Sequence, residues 1–510
     1  MDNIPVIPNL PQEFISNIIN ELSKFNQYPP FLIVTLLWFC SVILKDIDPQ
    51  NGFRIAYQII ALSNQPIVVL AASKLLVSCN KYIEEKQQID LAPILTKLLE
   101  NTVIFKSKIA SDVIDAVCEN SCQNMDTING DLISMLFNSA IQRIAAGEEC
   151  SEGATSILDL IATLIRNIND DSPILIQLAE FVIPKVISIF CDYPDNFVYT
   201  QLFDIISTFS VKFEEALPVQ IQSLPPLFQI LSSDESFFDA TRELVWYLYP
   251  IICAKNHPLA NQPELVNALI QVTNTMFQTA RAENDGEREG YSLLLASCLI
   301  QEFGAVAFSL VPLAIVALEQ EIVPFEDSDE ETYDPIVFIG GIYVIASAIV
   351  VDEQQIIGLI QSNIANFIIN CISKSTISTY REMTIAFIIL LSFARNGINE
   401  AYQKAVTLFK YLYKLKLMEE DDEENETEDD DQNEEECENE NDDEEEDEEE
   451  DSCDDVYKQK IVAPSHMGLD NINPILMFLQ FTKSAGVFDS LPEKYRMQII
   501  EIDQKMANSQ

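Results

Sequence analysis

Apolar, helix-length segments recur along this chain in pairs whose first members begin near residues 66, 105, 152, 197, 236, 287, 335 and 378, in steps of 39 to 51 residues. A two-helix unit of that length can bury its apolar faces only against the units before and after it, so a chain that repeats it must stack helices in series. Local spacing agrees. In PIVVLAASKLLVSCNKYI, Val69, Ala72, Leu76 and Cys79 fall on one helical face, and Pro66 stands where the start of a helix tolerates it. Leu202, Ile205, Ile206 and Phe209 repeat the stripe in YPDNFVYTQLFDIISTFS, after Pro194. The segment Ser236 to Cys253, SFFDATRELVWYLYPIIC, reads as one helix. Its aromatics Phe237, Phe238, Trp246, Tyr247 and Tyr249 have the helical spacing of a core, the alternative being a binding groove. Only 13 glycines occur in 510 residues, and tight-hairpin signals are few, so sheet is disfavoured.

The period is that of HEAT and armadillo units, and the expected fold is all-α: a HEAT-repeat α-solenoid running over residues 1–418. It is interrupted near its end. Glu419 to Asp455, EEDDEENETEDDDQNEEECENENDDEEEDEEEDSCDD, holds 28 acids in 37 residues and no Lys, Arg or His. Like charges at this density oppose collapse, so residues 419–456 are expected to be a disordered acidic loop. Beyond it, residues 457–510 resume helical patterning around Ile475 to Phe481. A last helix opens with the capping box Ser490 to Glu493 and carries Tyr495, Ile499 and Ile502 on one face. The ribbon is thus read as an internal loop tethered at both ends.

Charge narrows the function. The formal net charge is −51, and removing the ribbon's 28 acids still leaves −23. Such a field repels nucleic acid and anionic lipid and draws in basic partners. Fully extended, 37 residues reach on the order of 130 Å at up to ~3.6 Å each, enough to sweep the face of a solenoid. The residues expected to hold basic cargo are Glu434, Glu435, Glu436, Asp442, Asp443, Glu444, Glu445, Glu446, Asp447, Glu448, Glu449, Glu450 and Asp451. Two other readings stand beside this one: a solvated linker, and low-affinity Ca²⁺ binding without the spacing of an EF-hand. Lys404, Lys410, Lys414 and Lys416 before the ribbon, with Lys458 and Lys460 after it, complement a helix C-terminus or dock the ribbon. The shorter run FEDSDEETYD, Phe325 to Asp334, reads as a solvated turn or an extension of the cargo surface.

Chemistry is sparse. There are two histidines, His257 and His466, in unrelated segments, and no nucleotide-binding loop or nucleophile elbow. Cys118 and Cys122 could offer two zinc ligands, but a structural site needs four. No catalysis, cofactor or metal is expected. The eleven cysteines lie singly, mostly in apolar runs, and read as buried thiols of a reducing compartment. The N-terminus carries acids where a leader peptide needs basic residues. Two apolar runs, Pro29 to Leu44 and Pro335 to Val351, fall short of the ~20 residues that span a bilayer. Each is expected to be a helix buried on most sides, and no membrane span is expected.

Taken in order, several stretches resemble the C-terminal half of the importin-β (karyopherin-β) family, in the branch of importin 7 and importin 8. They are PIVVLAASKLLVSCNKYI, LAPILTKLLENTVIFKSKIASDVIDAVCENSC, YPDNFVYTQLFDIISTFS, DESFFDATRELVWYLYPII, FGAVAFSLVPLAIVALEQEI, the ribbon, and NPILMFLQFTKSAGVFDSLPEKYRMQIIEIDQ. The similarity is collinear and diffuse, with no single short motif. It implies a nuclear transport receptor that carries basic cargo such as histones or ribosomal proteins, contacts FG nucleoporins between helices, and moves between cytoplasm and nucleus through the pore. It also implies Ran-GTP as a partner, although the family's principal Ran-binding repeats lie in the N-terminal half, which these stretches do not match. The alternative is a non-transport HEAT scaffold or an acidic chaperone of basic proteins.

Overall fold

Proline and aspartate set many of the helix starts. The computed structural model describes residues 12–43, 48–80, 130–145, 151–193, 198–233, 235–327, 333–372 and 380–408, with isolated positions elsewhere, and among them there is no strand. One compact unit carries α1 (Gln12–Leu22), α2 (Pro30–Val42), α3 (Pro49–Leu62), α4 (Pro66–Asn80), α5 (Gly130–Ala145), α6 (Ser151–Arg166), α7 (Pro173–Asp192), α8 (Tyr199–Lys212) and most of α9 (Pro218–Ser233). A second carries α10 (Thr241–Ile252), α11 (Pro263–Glu283), α12 (Gly286–Phe303), α13 (Val311–Asp327), α14 (Pro335–Ile357), α15 (Ser362–Ile372), α16 (Tyr380–Arg395) and helical residues 399–408. Pro30, Pro49, Pro173, Pro263 and Pro335 open their helices, where the missing N–H costs nothing. Asp48, Asp285 and Asp334 cap α3, α12 and α14 by accepting backbone N–H bonds from the first turn.

The helix starts expected near 66, 152, 197, 236, 287, 335 and 378 fall within five residues of α4, α6, α8, α10, α12, α14 and α16. That expected near 105 lies outside the described residues. Side chains that join different helices do so mostly one period apart. Arg166 with Asp204, Lys212 with Asp170, Cys253 with Cys298, Arg288 with Asp239, Ser297 with Ser347 and Arg395 with Glu353 are separated by 38 to 50 positions. Within each unit, α6 packs on α8, and α10 on α12, α12 on α14, α14 on α16. The phasing of the hairpins differs from the sequence reading, which paired α12 with the helix after it: of its two neighbours in sequence, α12 packs on α11 before it rather than on α13, and α14 on α13 rather than on α15. The turn explains α12. Only Asn284 and Asp285 separate it from α11, with Asn284 left-handed at φ 57°, whereas the 3-10 turn Gly304–Leu310 leads the chain away from its other end.

The α12–α14 seam is the closest in the second unit. A Cβ on Gly340 would lie 2.9 Å from both the Gly290 carbonyl oxygen and Leu293 Cβ, so only glycine permits this approach. One turn or two further along, the Ser297 and Ser347 hydroxyls meet at 2.8 Å, with Gln301 Nε2 within 3.1 Å of both. Every residue from Gly340 to Ile349 is buried. The middle of the apolar run Pro335 to Val351 is therefore hydrophobic all round because neighbours cover it all round, while Ile336, Val350 and Val351 at its ends are exposed. The α-helix breaks at Asp352 (φ −151°), whose carboxylate accepts the Gln355 N–H. By length and composition, three helical stretches are long and apolar enough to cross a membrane: Pro173–Asp192, Gly286–Ile322 and Pro335–Ile357. The last has 67% of its apolar window buried inside the protein.

Several expectations hold at residue level. Val69, Ala72, Leu76 and Cys79 are buried, as are Leu202, Ile205, Ile206 and Phe209. The five aromatics between Phe237 and Tyr249 are core side chains. Three expectations need correction. Ser236 to Cys253 is not one helix: a 3-10 turn, Glu235–Ala240, precedes α10. The run Pro29 to Leu44 is not buried on most sides. Ile33, Leu37 and Cys40 face inward from α2, but Phe31 is 81% and Trp38 64% exposed, because α1 and α4 cover one face only. Cys191 is exposed, unlike Cys40, Cys79, Cys253, Cys298 and Cys371. Burial pushes the Cys40, Cys79 and Cys371 thiols up to about 12, which keeps them protonated and inert.

Candidate functional site: a half-apolar cleft with one carboxylate

Glu434, Glu435, Glu436, Asp442 to Asp451 and the rest of the acidic ribbon lie outside the described residues, as do Lys410 to Lys416, Cys118, Cys122, His466 and the capping box at Ser490. Residues on either side of the ribbon nevertheless pack together. The Phe478 ring lies 5.4 Å from that of Phe387 in α16, and the Phe481 ring 5.9 Å from that of Tyr402. In the shorter acidic run, Asp334 is committed to capping α14, and its N–H bonds Glu321 at 2.6 Å.

What the structure brings together instead is a cleft of about 410 Å³ in the second unit, a size typical of ligand sites. Three pieces of chain build it. Ile252 ends α10; His257, Leu259 and Ala260 come from the turn that follows, with Pro263, Val266 and Asn267 from the start of α11. Glu302 and Phe303 end α12, and Val306 follows in the 3-10 turn. The turn is pinned from outside. Asn256 Nδ2 donates to the Ala216 carbonyl at 2.9 Å while its Oδ1 accepts the Ala216 N–H at 3.2 Å, and Lys255 N–H donates to the Glu214 carbonyl at 3.0 Å. The His257 N–H in turn donates to the Ala254 carbonyl at 2.8 Å. Held this way, His257 has φ 44°, a left-handed backbone that is costly for a non-glycine residue and worse before Pro258.

Its imidazole Nδ1 sits 3.6 Å from Glu302 Oε2. The Glu302 side chain is only 12% exposed, and burial pushes its carboxyl above the usual glutamate range, with His257 pulling back. Gly304, at φ 56° and ψ −131° in a region essentially reserved for glycine, ends α12 just beyond it. Glu302 therefore stands at the negative end of the helix dipole, in a last turn that holds no basic residue. Next to Ile252 in sequence and one turn before Glu302, the Cys253 and Cys298 sulfurs meet at 3.2 Å.

Sequence reasoning passed over this site. His257 and Glu302 are 45 positions apart, and only the period of the repeat signals that such residues can meet. Among the described residues no group of three or more His, Cys, Asp or Glu is placed to hold a metal ion. No family model matches the chain, and comparison with curated proteins finds no match.

Proposed function

We propose that this chain is a carrier of basic proteins of the nuclear-transport type, working by binding and without catalysis. The observation that carries the reading is that helices pack one period apart within each unit of a chain of net charge −51, 28 of whose acids are concentrated between Glu419 and Asp455. A stacked array presents an extended surface, and a dense acidic segment beside it raises the encounter rate with basic cargo in a salt-dependent way. Tyr402 before the ribbon and Phe481 after it are in contact, which supports reading the ribbon as a loop held at both ends. The exposed Phe31, Leu32 and Trp38 on α2 offer apolar surface of the kind that phenylalanine-rich repeats would take. Histones and ribosomal proteins are the cargo class, FG nucleoporins and Ran-GTP the further partners, and cytoplasm and nucleus the compartments.

The test is a pull-down of the full chain with immobilised histones or ribosomal proteins, repeated with residues 419–455 deleted and at rising salt. Loss of binding in both arms is expected; unchanged affinity after the deletion removes the capture role of the ribbon. Immobilised FG repeats and Ran-GTP, offered in parallel, separate a transport receptor from an acidic chaperone, which would keep basic-protein binding and ignore both.

A further inference from the structure

We infer that the cleft between α12's C-terminal end and the α10–α11 turn is a binding site for one basic side chain of a partner, a lysine or arginine whose charged head meets Glu302 and whose aliphatic stem lies on Leu259, Val266, Phe303 and Val306. The inference rests on the basic-partner reading and names a place for it on the folded body, separate from the ribbon.

Four observations converge on a cation. The carboxylate is mostly removed from water, and burying an ion is costly unless it is paired. Among the described residues its ion-pair partner is His257, at a length of 3.6 Å, and a histidine carries a full charge only when protonated. The helix end adds negative potential from its unsatisfied carbonyls. The remaining walls are apolar, which suits the methylene stem of a long basic side chain that keeps its head at the polar end. A neutral apolar ligand would leave Glu302 buried against it, and an anion would face both the carboxylate and the helix terminus. His257, 59% exposed in side chain, stands at the mouth. Its strained backbone, fixed by the Asn256 and Ala254 hydrogen bonds, keeps it there.

The experiment uses the full chain and a photoreactive peptide of alternating lysine and glycine, with an arginine version and a norleucine version that keeps the stem and lacks the charge. Crosslinks of the lysine and arginine peptides should map to residues 257–306, and norleucine should abolish them. Glu302→Gln should weaken binding about thirtyfold, the lower end of the scale for losing one partner of a buried charge pair. Val306→Lys, at a position 62% exposed, should weaken it similarly by placing a resident ammonium at the mouth, and it decides the matter if Glu302→Gln does not fold. Crosslinks confined to 419–455, with both variants binding like the parent, would overturn the cleft and leave the carrier reading standing. Failure of the parent chain to bind any basic peptide or protein would overturn both.

Discussion

Helix α12 carries a half-buried or buried glutamate at each end, and the two are treated in opposite ways. Glu289, near the N-terminal end, is 6% exposed and sealed in the seam with α14, among Arg281, Glu321 and Asp334. Burial pushes its carboxyl up to about 7, more than Arg281 draws it down, and the neighbouring carboxylates add to the rise. Among the described residues, Glu289 Oε1 and Arg281 Nη1 have no hydrogen-bond partner. Glu302, at the other end, opens on a cleft. One acid is shut in by a glycine-to-glycine approach of two helices; the other is left reachable because Gly304 turns the chain away and the His257 turn stands off. A carboxylate's role here is set by what the repeat places across from it one period away, not by its own sequence surroundings.

Four substitutions test that contrast. Gly340→Ala attacks the sealed end. The new Cβ meets the Gly290 carbonyl at 2.9 Å, where backbone has to move, and a loss of about 2–3 kcal/mol is expected in denaturant unfolding of the second unit. Next, Glu289 should make stability depend on pH. Its folded value of about 7 lies above the ordinary 4.5, so the folded state holds the extra proton; stability is full below about pH 4.5 and declines as pH rises through 7. The decline attributable to this one group is on the order of 3 kcal/mol. Unfolding midpoints followed from pH 5 to 8 should show it, and Glu289→Gln should flatten the curve; an unchanged slope in the variant would mean that Glu321 or another group is responsible.

Glu302→Gln should behave differently. The acid lies at a cleft rather than in a seam, and its raised value means that charge is a burden, so stability should shift by less than about 1 kcal/mol and toward greater stability near neutral pH. Val306→Lys should be smallest, within about 0.5 kcal/mol by thermal melting, since the side chain is largely in solvent. A large loss from either would show that the cleft is part of the core and erase the distinction between the two ends.

Much of the helical layout was legible because it is local. Apolar spacing marked the buried faces of α4 and α8, and Pro335 and Asp334 mark the start of α14 by the same rules that govern any helix end. Even the buried aromatics of α10 follow from their spacing. The exposed face of α2 was not legible, since Phe31 and Trp38 sit in a run as apolar as that of α14 and only the number of neighbouring helices separates the two cases. Nor was the cleft. His257 lies in a turn without periodicity, and nothing near Glu302 in sequence distinguishes it from the chain's many other acids.

By itself, then, the sequence determined that the described residues are helical, that helices return about every 40 to 50 residues, and that the chain is strongly acidic, because propensity, capping and net charge are summed over neighbours in the chain. Tertiary structure decided which helix each one packs on, which glycines must stay bare and which carboxylate borders a cleft. Those depend on residues brought together from one repeat to the next, where the approach distance of two backbones, rather than any local pattern, sets what a side chain touches.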